Sequence, residues 1–263
     1  MTDRALQDQA QPLADGDVRH PPRLAIFGDS HYACLRQAHG QGLIDPAGVE
    51  IEYWGHVGKR FRFLSCQGGA IVPDDDYTAQ RFAKFNEKGR TFLPAADFDM
   101  IFFMSCRIDL TALFQTLLGA RRSGPFLSSG LQTRMAADRL AEQRLYTYAK
   151  ALAETRTARI VLAPVTFPTL GYAGMVPPVP DAVHRATAED RAAIWQMLAD
   201  KAASDGITLL PQPEETIASG IFTHPDYAIA DYEALDDHAH RNAAYGALIY
   251  RRVLALLSGK AAG

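Results

Sequence analysis

The chain has 263 residues, of which 48% are hydrophobic and 22% charged, with a net charge of -3. A chain this long buries a full core without disulfide or metal staples, and with no basic block it offers no ordinary nucleic-acid surface. Its three cysteines, Cys34, Cys66 and Cys106, form neither a Cys-x-x-Cys pair nor a disulfide framework, as suits a reducing compartment.

Residues 1–22 are polar and carry acidic side chains. They lack the basic start and the apolar run of roughly 7–15 residues that a secretory signal needs. They read as a flexible N-terminal tail before a single domain over 23–263. No segment approaches the roughly 20 apolar residues of a membrane span, so the expectation is a cytoplasmic protein with no membrane partner.

From Arg23 the pattern changes. Leu24-Ala25-Ile26-Phe27 is a short apolar run stopped by Gly28, the mark of a buried strand ending in a turn. His31 to Gly40 can form a helix. Further strands are predicted over Val49–Trp54, Met100–Met104, Arg159–Ala163 and Ile207–Leu210, the last two closed by Pro164 and Pro211. Helices are predicted over Thr133–Glu154, Ala188–Ala203 and Asn242–Leu257, where Tyr245, Leu248, Ile249, Val253 and Leu256 recur at helical spacing. Continuous apolar strands alternating with helices predict an α/β domain with a central parallel sheet covered on both faces. Three long connections, Gly55–Asp97, Pro164–Thr187 and Pro211–Asp236, each follow a strand. They are expected to gather at the carboxyl edge of the sheet, where open α/β sheets bind ligands.

Two short blocks carry chemistry. In Gly28-Asp29-Ser30-His31, a serine just beyond the first strand would sit where a helix opens, so nearby backbone N–H groups could hold an anion. Ser30 is therefore a candidate nucleophile, and the plain alternative is a helix N-cap. In Asp237-His238-Ala239-His240, a carboxylate three residues before an imidazole can hold its Nδ1 and leave the other nitrogen free to take a proton. Here the alternatives are a polar helix start, or a metal site using Asp236, Asp237, His238 and His240. His56 and His224 are other conceivable bases, without a carboxylate at fixed short spacing.

Taken together, the two blocks resemble the first and last sequence blocks of the SGNH (GDSL-like) hydrolase family, through Gly28, Asp29, Ser30, Asp237 and His240, with Asn242 and Gly246 continuing the last block. The resemblance implies a three-layer α/β/α fold with a flavodoxin-like sheet. It also implies a Ser30–His240–Asp237 triad, acyl transfer through an acyl-enzyme, and no metal or organic cofactor. Gly28-Asp29-Ser30-His31 resembles members acting on acylated carbohydrates, which makes a small O-acyl ester, such as an acetylated sugar, the expected substrate. An O-acyltransferase using the same triad and a catalytically decayed carbohydrate-binding protein are the alternatives.

The family takes one oxyanion donor from a glycine after the second strand, a role that falls on Gly58, with Gly68 or Gly69 as substitutes. Its third block, Gly-x-Asn-Asp, is replaced here: Cys106 stands at the Gly position, Ile108 at the Asn position and Asp109 at the final Asp. Removing such an Asn donor typically costs about 10²–10³ in rate. Arg107 and Ser105 are the candidates to replace it, Arg107 also being expected to pair with Asp29 or Asp109. Phe167, Tyr172 and Met175, on the Pro164–Thr187 connection, are predicted to wall a substrate pocket beside Ser30.

Overall fold

The fully buried run Leu24–Phe27 has no polar face to turn to water, so it can only be a strand covered on both sides. In the computed structural model, which describes residues 20–55, 58–122 and 124–259, it forms β1 (Arg23–Gly28) at the centre of the molecule. β2 (Glu50–Gly55) pairs with one edge of β1, and β3 (Met100–Met104) pairs with the other. β4 (Arg159–Ala163) and β5 (Ile207–Leu209) follow. All pairings are parallel and the spatial order is β2-β1-β3-β4-β5. This is the flavodoxin-like order, whose switch point lies at the carboxyl end of β1, between β1 and β3.

The helices are α1 (Ala33–Gly40), α2 (Asp76–Phe85), α3 (Thr111–Arg122), α4 (Ser129–Ala141), α5 (Arg144–Thr155), α6 (Asp181–His184), α7 (Ala188–Ser204) and α8 (Ala243–Leu257). Side chains alternate across each strand. Leu24, Ile26, Met100, Phe102 and Val161 therefore pack with residues of α1 and α8 on one face. Ala25, Phe27, Ile101, Phe103 and Leu162 pack on the other with residues of α3, α4, α5 and α7. The result is a three-layer α/β/α domain. The expected N-terminal tail lies outside the described residues apart from 20–22. No described helix is long and apolar enough to cross a membrane.

Three expectations need correction. The single helix predicted over Thr133–Glu154 is two, α4 and α5, separated where Gln143 turns extended (φ -81°, ψ 110°). No residue there breaks a helix by propensity, so tertiary contacts set the boundary. The break lets α4 pack along α7 while α5 packs on β4, and Tyr146 reaches Asp205 through its hydroxyl at 2.8 Å. The connection Gly55–Asp97 contains α2 and a small antiparallel sheet of Leu64–Gln67, Ala70–Pro73 and Leu93–Pro94. Within it, Gly68 (φ 55°) and Gly69 (φ 76°) are the two central residues of a tight hairpin turn, which only residues tolerating positive φ accommodate. Their role is that turn, not oxyanion binding. Finally, α3 follows β3 where no helix was predicted.

Candidate active site

Ser30 follows β1 by two residues and opens a short 3-10 turn, Ser30–Tyr32, that runs into α1. Asp29 is the N-cap: its Oδ1 accepts from the His31 N–H at 3.2 Å. Capping by Asp29 leaves the Ser30 side chain free, and Ser30 is exposed. At the other end of the chain Asn242 caps α8 by accepting from the Tyr245 N–H at 3.1 Å. Asp237 is therefore not the cap of that helix. Its Oδ1 accepts from the main chain of Ala239 and His240, and its Oδ2 lies 2.7 Å from His240 Nδ1.

α1 and α8 pack side by side on the same face of the sheet. A Cβ added to Gly246 would lie 2.1 Å from the Cys34 carbonyl oxygen, so only glycine permits this backbone approach. The close packing brings the two helix starts together, and His240 Nε2 lies 2.7 Å from Ser30 Oγ across a separation of 210 residues. With Nδ1–H held by Asp237, Nε2 is the nitrogen left to accept the serine proton. Burial pushes the Asp237 carboxyl upward in pKa, but the hydrogen bonds from His240 and Ala239 outweigh it and hold the group below the usual carboxylate range.

Two neighbours sharpen this arrangement, and sequence reasoning gave neither a role there. The His31 ring stacks on His240, with centroids 4.8 Å apart and planes 25° apart. Desolvation lowers its pKa against the opposing pull of Asp29, and His240 and Arg241 push it the same way as burial. Arg241 is 3% exposed and, among the described residues, forms no ion pair with a carboxylate. Its guanidinium donates to Thr166 Oγ1 (3.0 Å), Thr169 Oγ1 (2.7 Å), the His240 and His238 carbonyls (3.2 and 3.1 Å) and the Phe167 carbonyl. Arg241 thereby ties the loop after β4 to the segment carrying His240. Desolvation pulls its pKa down to about 10. The available signal was a charged residue inside the His240 block, at a position where the apolar pattern of α8 begins.

The histidine pair His238 and His240 diverges. His238 lies between the rings of Tyr172 and Tyr232, at centroid distances of 5.1 and 5.4 Å, while His240 faces Ser30. Among the described residues no group of three or more His, Cys, Asp or Glu is placed to hold a metal ion. His224 caps a separate turn, accepting from Asp226, and His56 lies outside the described residues.

The end of β3 departs from ordinary backbone. Ser105, Cys106 and Arg107 have φ of 61°, 46° and 58°, three successive left-handed residues without a glycine. Each left-handed L-residue costs roughly 1–2 kcal/mol, and such strain concentrates at functional sites. The turn buries Cys106, whose thiol reaches the Phe27 carbonyl at 3.3 Å, and projects Arg107 outward over Gly58. A Cβ on Gly58 would sit 2.7 Å from Arg107 Nη1 and 3.7 Å from Asp29 Oδ2. Gly58, Arg107 and the Ser30 turn thus share one corner of the sheet edge. The expected ion pair of Arg107 with Asp29 or Asp109 does not form. Asp109 instead caps α3 through the Thr111 N–H, and no carboxylate lies within 4 Å of Arg107 among the described residues.

A groove of about 1090 Å³ runs from Asp237, His238 and Ala239 between α3 and the loop after β4, along Tyr172, Met175 and Val176. Phe167 is not part of it. At 2% exposure it packs into the core against Phe114 and Trp195. Position 167 is an inward-facing anchor of the loop, and the assignment of Phe167 to substrate contact is corrected. Tyr172 does line the groove.

No family model and no curated protein matches the sequence. Among solved structures, the chain is similar to an extracellular lipase from Streptomyces rimosus, at 14% identity over 84% of this chain and 93% of that one, with a TM-score of 0.36. It is also similar to a protein from Lactobacillus plantarum, at 16% identity over 90% and 97% of the two chains, with a TM-score of 0.39. Both likenesses are remote, and the functional reading rests on the geometry of the site.

Proposed function

We propose that the protein is a serine ester hydrolase in which Ser30 is the nucleophile, His240 the general base and Asp237 the residue that orients His240. The observation that carries this reading is the relay Ser30 Oγ–His240 Nε2–His240 Nδ1–Asp237 Oδ2, with both links at 2.7 Å, at the switch point of a doubly wound sheet.

Ser30 Oγ attacks the ester carbonyl carbon while His240 Nε2 takes its proton. The imidazolium, steadied by Asp237, returns that proton to the departing alkoxide, and the acyl group stays on Ser30. Water then attacks the acyl-enzyme with Nε2 again as base, releasing the acid. The developing oxyanion is held by N–H groups at the Ser30 turn and at Gly58, with the Arg107 guanidinium above Gly58 supplying the donor that an Asn side chain would otherwise supply. The groove beside Asp237 accommodates an apolar arm of the ester.

The test is covalent labelling by a fluorophosphonate together with hydrolysis of a short-chain aryl ester. Both are expected in the wild type, and both should vanish in a folded Ser30→Ala variant. Label on another residue, or unchanged turnover in Ser30→Ala, refutes the nucleophile. An O-acyltransferase would share the triad and is separated by product analysis with and without a sugar acceptor.

A further inference from the structure

Beside Gly58 the surface opens into a second cavity of about 360 Å³. Its charged lining is Lys59, Arg62, Arg107 and Arg144, and no carboxylate lines it. In a chain with 27 cationic and 30 acidic residues, four cations without an acid in so small a space is a local reversal of the overall balance.

Among the described residues none of the four is neutralised by an ion pair. Arg144 donates to the Tyr148 hydroxyl at 2.7 Å and to the main-chain carbonyls of Arg62 and Leu64. Those bonds fix its direction and leave its charge. Arg62 lies over the Phe63 ring at 4.8 Å. Arg107 and Lys59 are exposed, and none of the four has a carboxylate within 4 Å among the described residues. Of the nearby acids, Glu142 is engaged with Arg139 at 3.6 Å and Asp109 caps α3. The buried Asp29 faces Gly58 from the nucleophile side.

The local backbone agrees with this charge distribution. α5 starts at this cavity with Arg144, has no acidic residue in its first turn, and its N-cap Gln143 makes no side-chain cap. A cation at a helix N-terminus is placed against the dipole, and an anion in the cavity would answer both. The cavity also adjoins the reacting centre: Arg107 and Gly58 line it, and Gly58 faces Asp29, the residue before Ser30.

We infer that this cavity is an anion subsite, and that the preferred substrate is an ester carrying a carboxylate, phosphate or sulfate within reach of Ser30. The inference rests on the hydrolase reading for the ester, but not for the anion. Guanidinium groups at Arg62, Arg107 and Arg144 provide charge-assisted, fork-shaped donors for such a group. The apolar groove and this cavity have separate linings, the first including Asp237 and Tyr172 and the second Gly58 and Arg107, so the substrate is amphiphilic, with an apolar arm toward Tyr172 and an anionic arm toward Arg107.

Three esters test this: neutral phenyl acetate, 4-acetoxybenzoate with the anion on the alcohol arm, and phenyl hydrogen succinate with the anion on the acyl arm. The expected result is that kcat/KM for at least one anionic ester exceeds that of phenyl acetate about tenfold, and that this ratio shrinks with added salt. In the double variant Lys59→Gln/Arg62→Gln the ratio should fall toward one. A ratio taken within one protein is insensitive to partial unfolding, and fluorophosphonate labelling of Ser30 in the variant reports the nucleophile separately. Hydrolysis of all three esters with no anionic preference overturns the subsite. If no ester is hydrolysed and no label is taken up, the hydrolase reading fails by itself. Calorimetry with inorganic phosphate then decides the subsite: binding that disappears in the double variant supports it, and absence of binding overturns it. Phosphate binding by an enzyme that hydrolyses the esters without anionic preference marks a free-ion site and likewise overturns the substrate inference.

Discussion

Two strand ends meet at the carboxyl edge of the sheet, and they are built in opposite ways. At the end of β1 the groups of the relay and the Arg241 clamp are matched, the buried His31 Nδ1 being the exception. Asp29 caps the turn, His240 is bonded through both ring nitrogens, and Arg241 donates to five acceptors. At the end of β3 the backbone is left-handed over three residues, Ser105 Oγ is buried with no partner, and Arg107 reaches out over Gly58 unpaired. The first arrangement is preorganised, as a proton relay requires. The second holds strain and unsatisfied donors in the folded protein, which is sensible where a ligand supplies the missing partner. Substitutions should therefore separate the two ends: changes at the β1 end lose both function and stability, and changes at the β3 end lose function alone.

The largest effect expected is on turnover, from Asp237→Asn. The amide preserves shape but offers a donor to Nδ1, which favours the wrong imidazole tautomer. A loss of about 10⁴ in kcat is expected, together with a lower Tm at neutral pH, because the amide gives up the stability linked to the lowered Asp237 pKa. A loss under tenfold on an aryl ester would show that Asp237 does not orient His240, and the contrast between the two ends would lose its catalytic half.

The legibility of the molecule in its sequence follows the same division. β1, β3 and β4 were readable because strands buried on both faces have no polar alternation to confuse with helix. The Ser30 and His240 blocks were readable because the chemistry needs fixed local spacing, Asp237 three residues before His240. Gly55–Asp97 hid a small sheet and α2, since an element packed on one face by distant residues leaves little periodic signal. Gln143 hid a helix break that only the packing of α4 on α7 and α5 on β4 imposes. Phe167 was misjudged because an apolar residue in a Pro-rich loop reads the same whether it faces a pocket or the core. Arg107 was placed at the right strand end, but its lack of a carboxylate partner depends on Asp109 turning to cap α3, a contact that sequence does not specify.

Next in size is a packing test at the β1 end. Gly246→Val puts a side chain 2.1 Å from the Cys34 carbonyl oxygen, and backbone cannot yield as a flexible side chain can. Overpacking of this kind costs about 1–3 kcal/mol, or several degrees in Tm for a domain of this size at about 2–4 °C per kcal/mol. Because α1 and α8 carry Ser30 and His240 at their starts, kcat should fall further than the folded fraction at assay temperature accounts for. A drop in Tm with full activity per folded molecule would detach the relay from the helix pair.

The β3 end should respond with the opposite sign in stability. Arg107→Gly replaces a left-handed L-residue by one that adopts φ near 58° freely. Relief of roughly 1–2 kcal/mol, less the added chain entropy of glycine, predicts an unchanged or slightly higher Tm. Activity on anionic esters should decline at the same time. Ser105→Ala, which removes a buried hydroxyl with no partner, is expected to be neutral or stabilising for a separate reason. Marked destabilisation by both substitutions would mean that the β3 turn is held by interactions like those at the β1 end, and the contrast would fail.

The smallest effect is a slope in stability with pH, and it comes from the residue stacked on the relay. Desolvation lowers the His31 pKa below its ordinary 6.5 despite Asp29, and the charges of His240 and Arg241 act in the same direction. Between its lowered native value and 6.5 the unfolded chain binds more protons than the folded one, so stability rises with pH through that window and is lost as pH falls through it. Asp237, also lowered, acts in a separate window. Its contribution is fully present above the ordinary value of 3.8 and disappears as pH drops through the lower native value. His31→Asn should therefore flatten the stability profile just below pH 6.5 and leave the steeper acid limb below pH 3.8 intact, while Asp237→Asn should do the reverse. Urea unfolding at a series of pH values measures both. An unaltered slope below 6.5 in His31→Asn would show that His31 titrates alike in the folded and unfolded chains. The stacked imidazole would then carry no proton-linked strain beside His240.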